Sequence, residues 1–181
     1  PDKVIPGQLG SGLGGAISGV VGRMENIRFC GQAIPGIPTY FQQVDSGMIG
    51  KLQVQKQGIL GNQVLERYRV LLDYRNGTLY LKPVSKKVKT YQYDLSGISA
   101  VAGGALLREY YISQVAEGTP ADLAGVRPGD RILRLNRMGA GMLSLGRIQK
   151  VLSSRAGRKV SLLLLREGQK IELTLVLREL I

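Results

Sequence analysis

The sequence predicts a mainly β chain, and three observations carry that prediction. There are 25 glycines and no tryptophan, the apolar runs are of strand length (Leu162-Leu163-Leu164-Leu165 is typical), and turn signals such as Asn76-Gly77 separate β-favourable runs. With 181 residues, 44% of them hydrophobic, there is room for one large domain or two small ones with real cores. No stretch approaches the roughly 20 apolar residues that cross a bilayer, so the chain as given is expected to be soluble.

Taken in order, Gly10-Ser11-Gly12-Leu13-Gly14-Gly15-Ala16-Ile17-Ser18-Gly19 reads as a glycine-rich surface hairpin. A phosphate-cradling reading fails because the Lys-Ser or Lys-Thr of a P-loop is missing and no strand-like run feeds the glycines. Asn62 is placed to cap a short helix over residues 63–68, with Val64, Leu65 and Tyr68 at helical spacing. Val70-Leu71-Leu72-Asp73-Tyr74 and Thr78-Leu79-Tyr80-Leu81 form a hairpin across Asn76-Gly77, which tolerates the positive φ of a tight turn. Residues 85–94 read as a linker carrying Lys86-Lys87-Val88-Lys89, with Tyr91 and Tyr93 alternating behind it. Gly103-Gly104 turns the chain into a strand over residues 107–115. In Gly118-Thr119-Pro120-Ala121-Asp122-Leu123-Ala124-Gly125-Val126-Arg127-Pro128-Gly129-Asp130, Thr119 caps a one-turn helix, Pro120 opens it and Gly125 ends it, before a turn into Ile132-Leu133-Arg134-Leu135. A second helix follows Ser144, with Leu145, Ile148, Val151 and Leu152 at three- and four-residue spacing. The run 160–165 and the alternating Ile171, Leu173, Leu175 and Leu177 close the chain as a hairpin across Glu167-Gly168.

Charge and composition narrow the chemistry. The net charge of +12 is spread over both halves, twelve Lys or Arg against five acids in residues 1–90 and thirteen against eight in residues 91–181. Such a spread argues against a nucleic-acid interface and for a solvated surface or an electrostatically steered acidic partner. There is no histidine to serve a serine or cysteine triad, so Cys30 reads as a core thiol. No metal-ligand spacing and no calcium-loop rhythm is present. Neither a metal nor any other cofactor is expected.

The run 118–130 resembles the stretch of a bacterial-type PDZ domain in which a helix-turn segment leads into a strand. PDZ domains bind extended peptides by strand addition, and backbone amides of a loop take the terminal carboxylate. The resemblance places that loop at Leu95-Ser96-Gly97-Ile98, with Ser96 departing from the usual apolar residue. It places the facing groove wall on the helix after Ser144, with Arg147 and Ile148 as groove residues and Leu152 in the core.

A second resemblance rests on Gly58-Ile59-Leu60-Gly61 followed by the hairpin through Asp73-Tyr74. It is similar to the end of a retropepsin-like aspartic peptidase domain, where such residues wall the cleft and a glycine-rich hairpin, here Gly12, Leu13, Gly14 and Gly15, closes as a flap. That family shares one proton between two aspartates, one from each subunit of a homodimer. The only Asp-Ser-Gly triplet, Asp45-Ser46-Gly47, follows the flap candidate and reads as a turn. The resemblance therefore implies that the catalytic aspartate lies upstream of Pro1 and that this chain is inactive alone.

Together these readings give residues 1–84 as a partial retropepsin-like barrel half, 85–94 as linker and 95–181 as a PDZ domain with two short helices. The expected function is an aspartic endopeptidase acting on peptides or unfolded protein, its PDZ half recruiting substrate or protein C-termini. The expected setting is a bacterial, periplasmic or otherwise exported one. The competing expectation is a non-catalytic peptide-binding PDZ protein with a degenerate protease-like half.

Overall fold

The computed structural model describes residues 3–12, 15–29, 31–42, 58–85 and 91–181. Cys30, Asp45, the flap-tip residues Leu13 and Gly14, and the lysines at 86, 87 and 89 lie outside the described residues. Contacts divide the chain into two compact units, Pro1–Met24 with Pro38–Gln42 and Gln92–Ile181, and Glu25–Ile37 with Gln43–Tyr91. Mainly β architecture is observed.

The N-terminal strands β1 (Val4–Gly12), β2 (Gly15–Phe29) and β3 (Gln32–Gln42) form a three-stranded sheet in sequence order. Gly12 pairs with Gly15 at the head of the β1–β2 ladder, so the glycine-rich segment does form a hairpin. Helix α1 (Asn62–Leu65) is a single turn whose N-cap is Gly61, so Asn62 stands inside the helix rather than capping it. The chain then leaves helical geometry and Tyr68 opens a strand. Strands β4 (Tyr68–Asp73) and β5 (Thr78–Pro83) pair from Tyr68↔Pro83 to Asp73↔Thr78. The turn between them has Gly77 at φ 61°, and the Asp73 carboxylate accepts bonds from the Asn76 backbone N–H at 3.1 Å and its Nδ2 at 2.8 Å. These Asn76 bonds hold the Asp73 carboxyl below the usual carboxylate range. Among the described residues this hairpin is a two-stranded sheet by itself. The unit that contains it has a small core of Ile34, Ile37, Val64 and Tyr91. Tyr91, expected in the linker, is buried there with the Arg67 guanidinium 3.5 Å from its ring centroid.

The larger unit follows the sequence closely. Strands β6 (Ile98–Gly103), β7 (Glu109–Val115), β8 (Arg131–Leu135), β9 (Met138–Gly139), β10 (Lys159–Arg166) and β11 (Gln169–Val176) form one sheet, ordered β11-β10-β8-β7-β6 with β9 on β8. Helix α2 (Pro120–Leu123) sits between β7 and β8, and helix α3 (Leu145–Leu152) between β9 and β10. Thr119 occupies the N-cap position of α2 but its hydroxyl donates to the Ala116 carbonyl at 2.5 Å instead of accepting from the helix. The Ser144 hydroxyl does cap α3, accepting from the Arg147 N–H at 3.2 Å. Ile112, Ile132, Leu135, Val160, Leu162, Leu164 and Leu175 are each at most 1% exposed and make the centre of the core. At about 25 cal/mol per Å² of apolar area, each such side chain contributes about 1.5–3 kcal/mol.

One buried ion pair pins the β8 entry to the β10–β11 turn. Asp130, 1% exposed, receives Arg166 in a fork, Nε to Oδ1 at 2.7 Å and Nη2 to Oδ2 at 2.8 Å, and also the Arg127 N–H at 2.9 Å. Burial alone would raise its carboxyl, but the Arg166 and Arg127 hydrogen bonds outweigh that and hold it below the usual carboxylate range.

Candidate functional site

Strand β6 forms one edge of the large sheet, and α3 lies beside it. An edge strand offers a row of main-chain donors and acceptors to an incoming extended segment. The loop 95–98 feeds directly into this edge. Three main-chain bonds lock its backbone: the Leu95 N–H donates to the Leu152 carbonyl at 3.1 Å, the Ala121 N–H to the Ser96 carbonyl at 2.9 Å, and the Ala116 N–H to the Gly97 carbonyl at 2.9 Å. Gly97 has φ +84°, and a Cβ placed there would lie 2.0 Å from the Thr119 Oγ1. Only glycine fits this position.

The N–H groups of Ser96, Gly97 and Ile98 all point at one side chain or its partner. Asp94 Oδ2 accepts the N–H groups of Ser96, at 3.1 Å, and of Gly97, in a shorter contact. Its Oδ1 accepts the Ser96 hydroxyl at 2.7 Å, and the Ser96 Oγ in turn accepts the Ile98 N–H at 3.1 Å. Ser96 is fully buried. Burial raises the Asp94 carboxyl above the usual range, against the lowering effect of these Ser96 and Gly97 bonds. Sequence reasoning missed Asp94, which fell inside the expected linker; the available signal was an Asp two residues before a Ser-Gly pair, the spacing of a side chain that caps its own turn.

The expected site residues separate. Leu95, Ser96, Gly97 and Ile98 do come together as a loop at the sheet edge. On α3, Arg147 is exposed and its Nη1 donates to the Met142 carbonyl at 3.2 Å. Ile148 is 1% exposed and belongs to the core cluster with Leu152. The helix carries more apolar positions than a groove uses, and the core has claimed Ile148. Gly58 and Gly61 have open space around them, and Ile59 is 93% exposed. Together with Leu60, which packs against the small core of Ile34, Ile37, Val64 and Tyr91, these residues precede α1 as irregular chain, and among the described residues no strand covers Ile59. Gly12 and Gly15 pair with each other at the head of the β1–β2 hairpin.

Comparison with known proteins identifies the domain around this edge. The family model for the PDZ domain matches residues 111–166, from β7 through β10, so loop 95–98 and β6 lie just outside the matched stretch. Over 71 residues the chain is 31% identical to a provisionally named zinc metalloprotease of Mesorhizobium japonicum, covering 39% of this chain and 19% of that protein. Over 58 residues it is 35% identical to Tax1-binding protein 3 of Homo sapiens, covering 32% of this chain and 47% of that protein. The chain thus spans less than half the length of these curated relatives. Among solved structures it is similar to a photosystem II D1 C-terminal processing protease (24% identity, TM-score 0.45, 49% of this chain and 24% of that one) and a serine endoprotease from Yersinia pestis (27%, 0.35, 47% and 30%). It is also similar to an HtrA-type protease solved with a decapeptide (18%, 0.45, 98% and 60%).

The chain contains a PDZ domain. The expectation of an aspartic endopeptidase is corrected: the curated protease to which the chain is similar is named as a zinc metalloprotease, not an aspartic one. In the structure Ile59 is exposed while Leu60 packs beside the small core, and among the described residues β4–β5 is a two-stranded sheet by itself.

Proposed function

We propose that this chain acts through its PDZ domain as a protein-interaction module that takes an extended polypeptide by strand addition to β6, beside α3. The observation that carries this reading is the position of β6 at the sheet edge, with α3 along it and a backbone-locked loop at its start. Main-chain hydrogen bonds would supply the affinity, and the flanking helix would select side chains. Peptides or unfolded protein are the proposed ligands. Because the curated relative from Mesorhizobium japonicum is named as a protease and the matched 71 residues are only 19% of its length, the module is proposed to serve proteolysis by presenting segments to a catalytic domain outside these residues, in an exported setting.

Amide chemical shifts of the 181-residue chain during titration with a panel of extended decapeptides test this directly. Shifts confined to residues 98–103 and to the exposed face of α3 are expected. Binding that leaves β6 unperturbed, or no binding at millimolar peptide, overturns it.

A further inference from the structure

A PDZ-type loop captures a peptide's terminal carboxylate because its backbone N–H groups converge on one point with no acceptor of their own. In this chain that condition is not met. The N–H groups of Ser96 and Gly97 already donate to the Asp94 carboxylate, and the Ile98 N–H donates to the Ser96 hydroxyl oxygen that the same carboxylate holds in place.

We propose that the Asp94 carboxylate is the resident anion of this loop, and that the groove therefore accepts internal segments of an extended chain and discriminates against free C-termini. The inference rests on the groove reading of the preceding section and sharpens it to a class of partner.

Three physical points support it. Each N–H carries a single proton, so a peptide carboxylate could bond these amides only by expelling Asp94. While Asp94 remains, an entering carboxylate would come within a few ångströms of a like charge in a half-buried setting, where repulsion is far less screened than in water. The loop also cannot turn its amides toward a second anion. The Ser96 and Gly97 carbonyls are held by the Ala121 and Ala116 amides, and Gly97 is seated against Thr119 in a conformation other residues cannot adopt. An internal segment needs none of these amides, because strand addition bonds the edge of β6 and not the loop.

The test uses fluorescein-labelled decapeptides with apolar last residues, each made as the free acid, as the C-terminal amide, and as the same sequence extended by five residues. Fluorescence anisotropy with the wild-type chain should give dissociation constants within twofold for the three forms. In Asp94→Ala the free acid should gain fivefold or more over the amide. Asp94→Asn keeps an acceptor oxygen in the loop and should remain close to indifferent. A fivefold preference for the free acid in the wild type, or no gain in Asp94→Ala, overturns the proposal. Amide hydrogen exchange gives a second readout independent of any peptide: Ser96 and Gly97 should be protected in the wild type and lose at least tenfold protection in Asp94→Ala. Unprotected Gly97 in the wild type also overturns it. Failure of every peptide to bind wild type and variant alike sinks the groove reading instead, and the exchange result then decides the loop assignment by itself.

Discussion

Two hairpins in this molecule are built by the same local rules and end in different environments. β4–β5 and β10–β11 are both antiparallel pairs, and each turn holds a glycine at positive φ, Gly77 at 61° and Gly168 at 82°. Yet β10 places Val160, Leu162 and Leu164 at the centre of the core, whereas Val70, Leu71 and Leu72 of β4 are exposed, Leu71 to 63%. Turn chemistry therefore sets the hairpin, and a second layer sets its burial. In β10–β11 that layer includes α3 and the sheet partners β8 and β7, supplied from elsewhere in the chain. A two-stranded ribbon with no such cover is marginal by itself, and β4–β5 gains its anchorage near its open end, where Tyr68 packs against the small core containing Val64 and Tyr91.

The largest expected effect comes from the buried ion pair under β10. Asp130→Ala leaves Arg166 without its fork and the Arg127 amide without its acceptor, and breaking such a pair costs about 3–5 kcal/mol; urea denaturation of the variant checks it. The pH dependence has a definite sign. The folded-state carboxyl lies below its unfolded value, so its stabilisation is fully present above the ordinary carboxylate range and is lost as pH falls through the folded value. Asp130→Asn should flatten that acid limb, and an unchanged limb would mean that the pair does not carry it.

Next comes the direct contrast between the hairpins. Leu164→Ala opens a cavity in a closed core and should cost about 2–5 kcal/mol, while Leu71→Ala on the exposed ribbon should stay within about 0.5 kcal/mol. A loss of 2 kcal/mol or more at Leu71 would show that β4 is covered in solution, and the distinction between the two ribbons would fail.

The same contrast explains what the sequence could and could not convey. The run 118–130 was legible because every instruction in it is local: Pro120 opens α2, Gly125 ends it at φ 81° and Gly129 turns at φ 91°. The hairpins and α3 were legible for the same reason. Gly58-Ile59-Leu60-Gly61 was ambiguous because apolar residues between glycines suit a covered strand only where covering strands lie beside them, a non-local fact, and among the described residues none covers Ile59. Ile148 was ambiguous because both core and groove draw on the apolar face of α3. Asp94 was only half legible: its spacing before Ser96-Gly97 suits a turn cap, but its role depends on Gly97 being left-handed and on three carbonyl and amide contacts from distant elements fixing the loop. Tyr91 looked like linker because nothing near it in sequence shows that Arg67 stacks on its ring.

Glycine substitutions sharpen the comparison at smaller scale. Gly77→Ala should cost only the left-handed penalty of about 1–2 kcal/mol, since open space surrounds it. Gly97→Ala carries that penalty and also drives a methyl group into Thr119, adding about 1–3 kcal/mol of overpacking. Gly97→Asp, the obvious way to block the loop, would fail for the same steric reason and say nothing about peptide binding. Combining Gly97→Ala with Thr119→Ser should recover part of the loss by removing the Thr119 Cγ2, one of the three crowding atoms. Equal costs at Gly77 and Gly97 in denaturant titrations would show that the loop relaxes freely, against the locked backbone argued for it.

The smallest expected effect tests whether the minor core anchors its ribbon. Arg67 lies over the buried Tyr91 ring at 3.5 Å, an arrangement worth about 0.5–2 kcal/mol depending on desolvation. Arg67→Gln keeps much of the alkyl stem but loses the cation, so it should reduce amide-exchange protection at Val64, whose N–H donates to the Gly61 carbonyl at 3.0 Å, by about two- to thirtyfold. Amides in β10 should be unaffected, because the large core has its own contacts. Equal loss at Val64 and in β10 would show that the two cores open as one cooperative unit, and the local origin of the ribbon's exposure would then have to be abandoned.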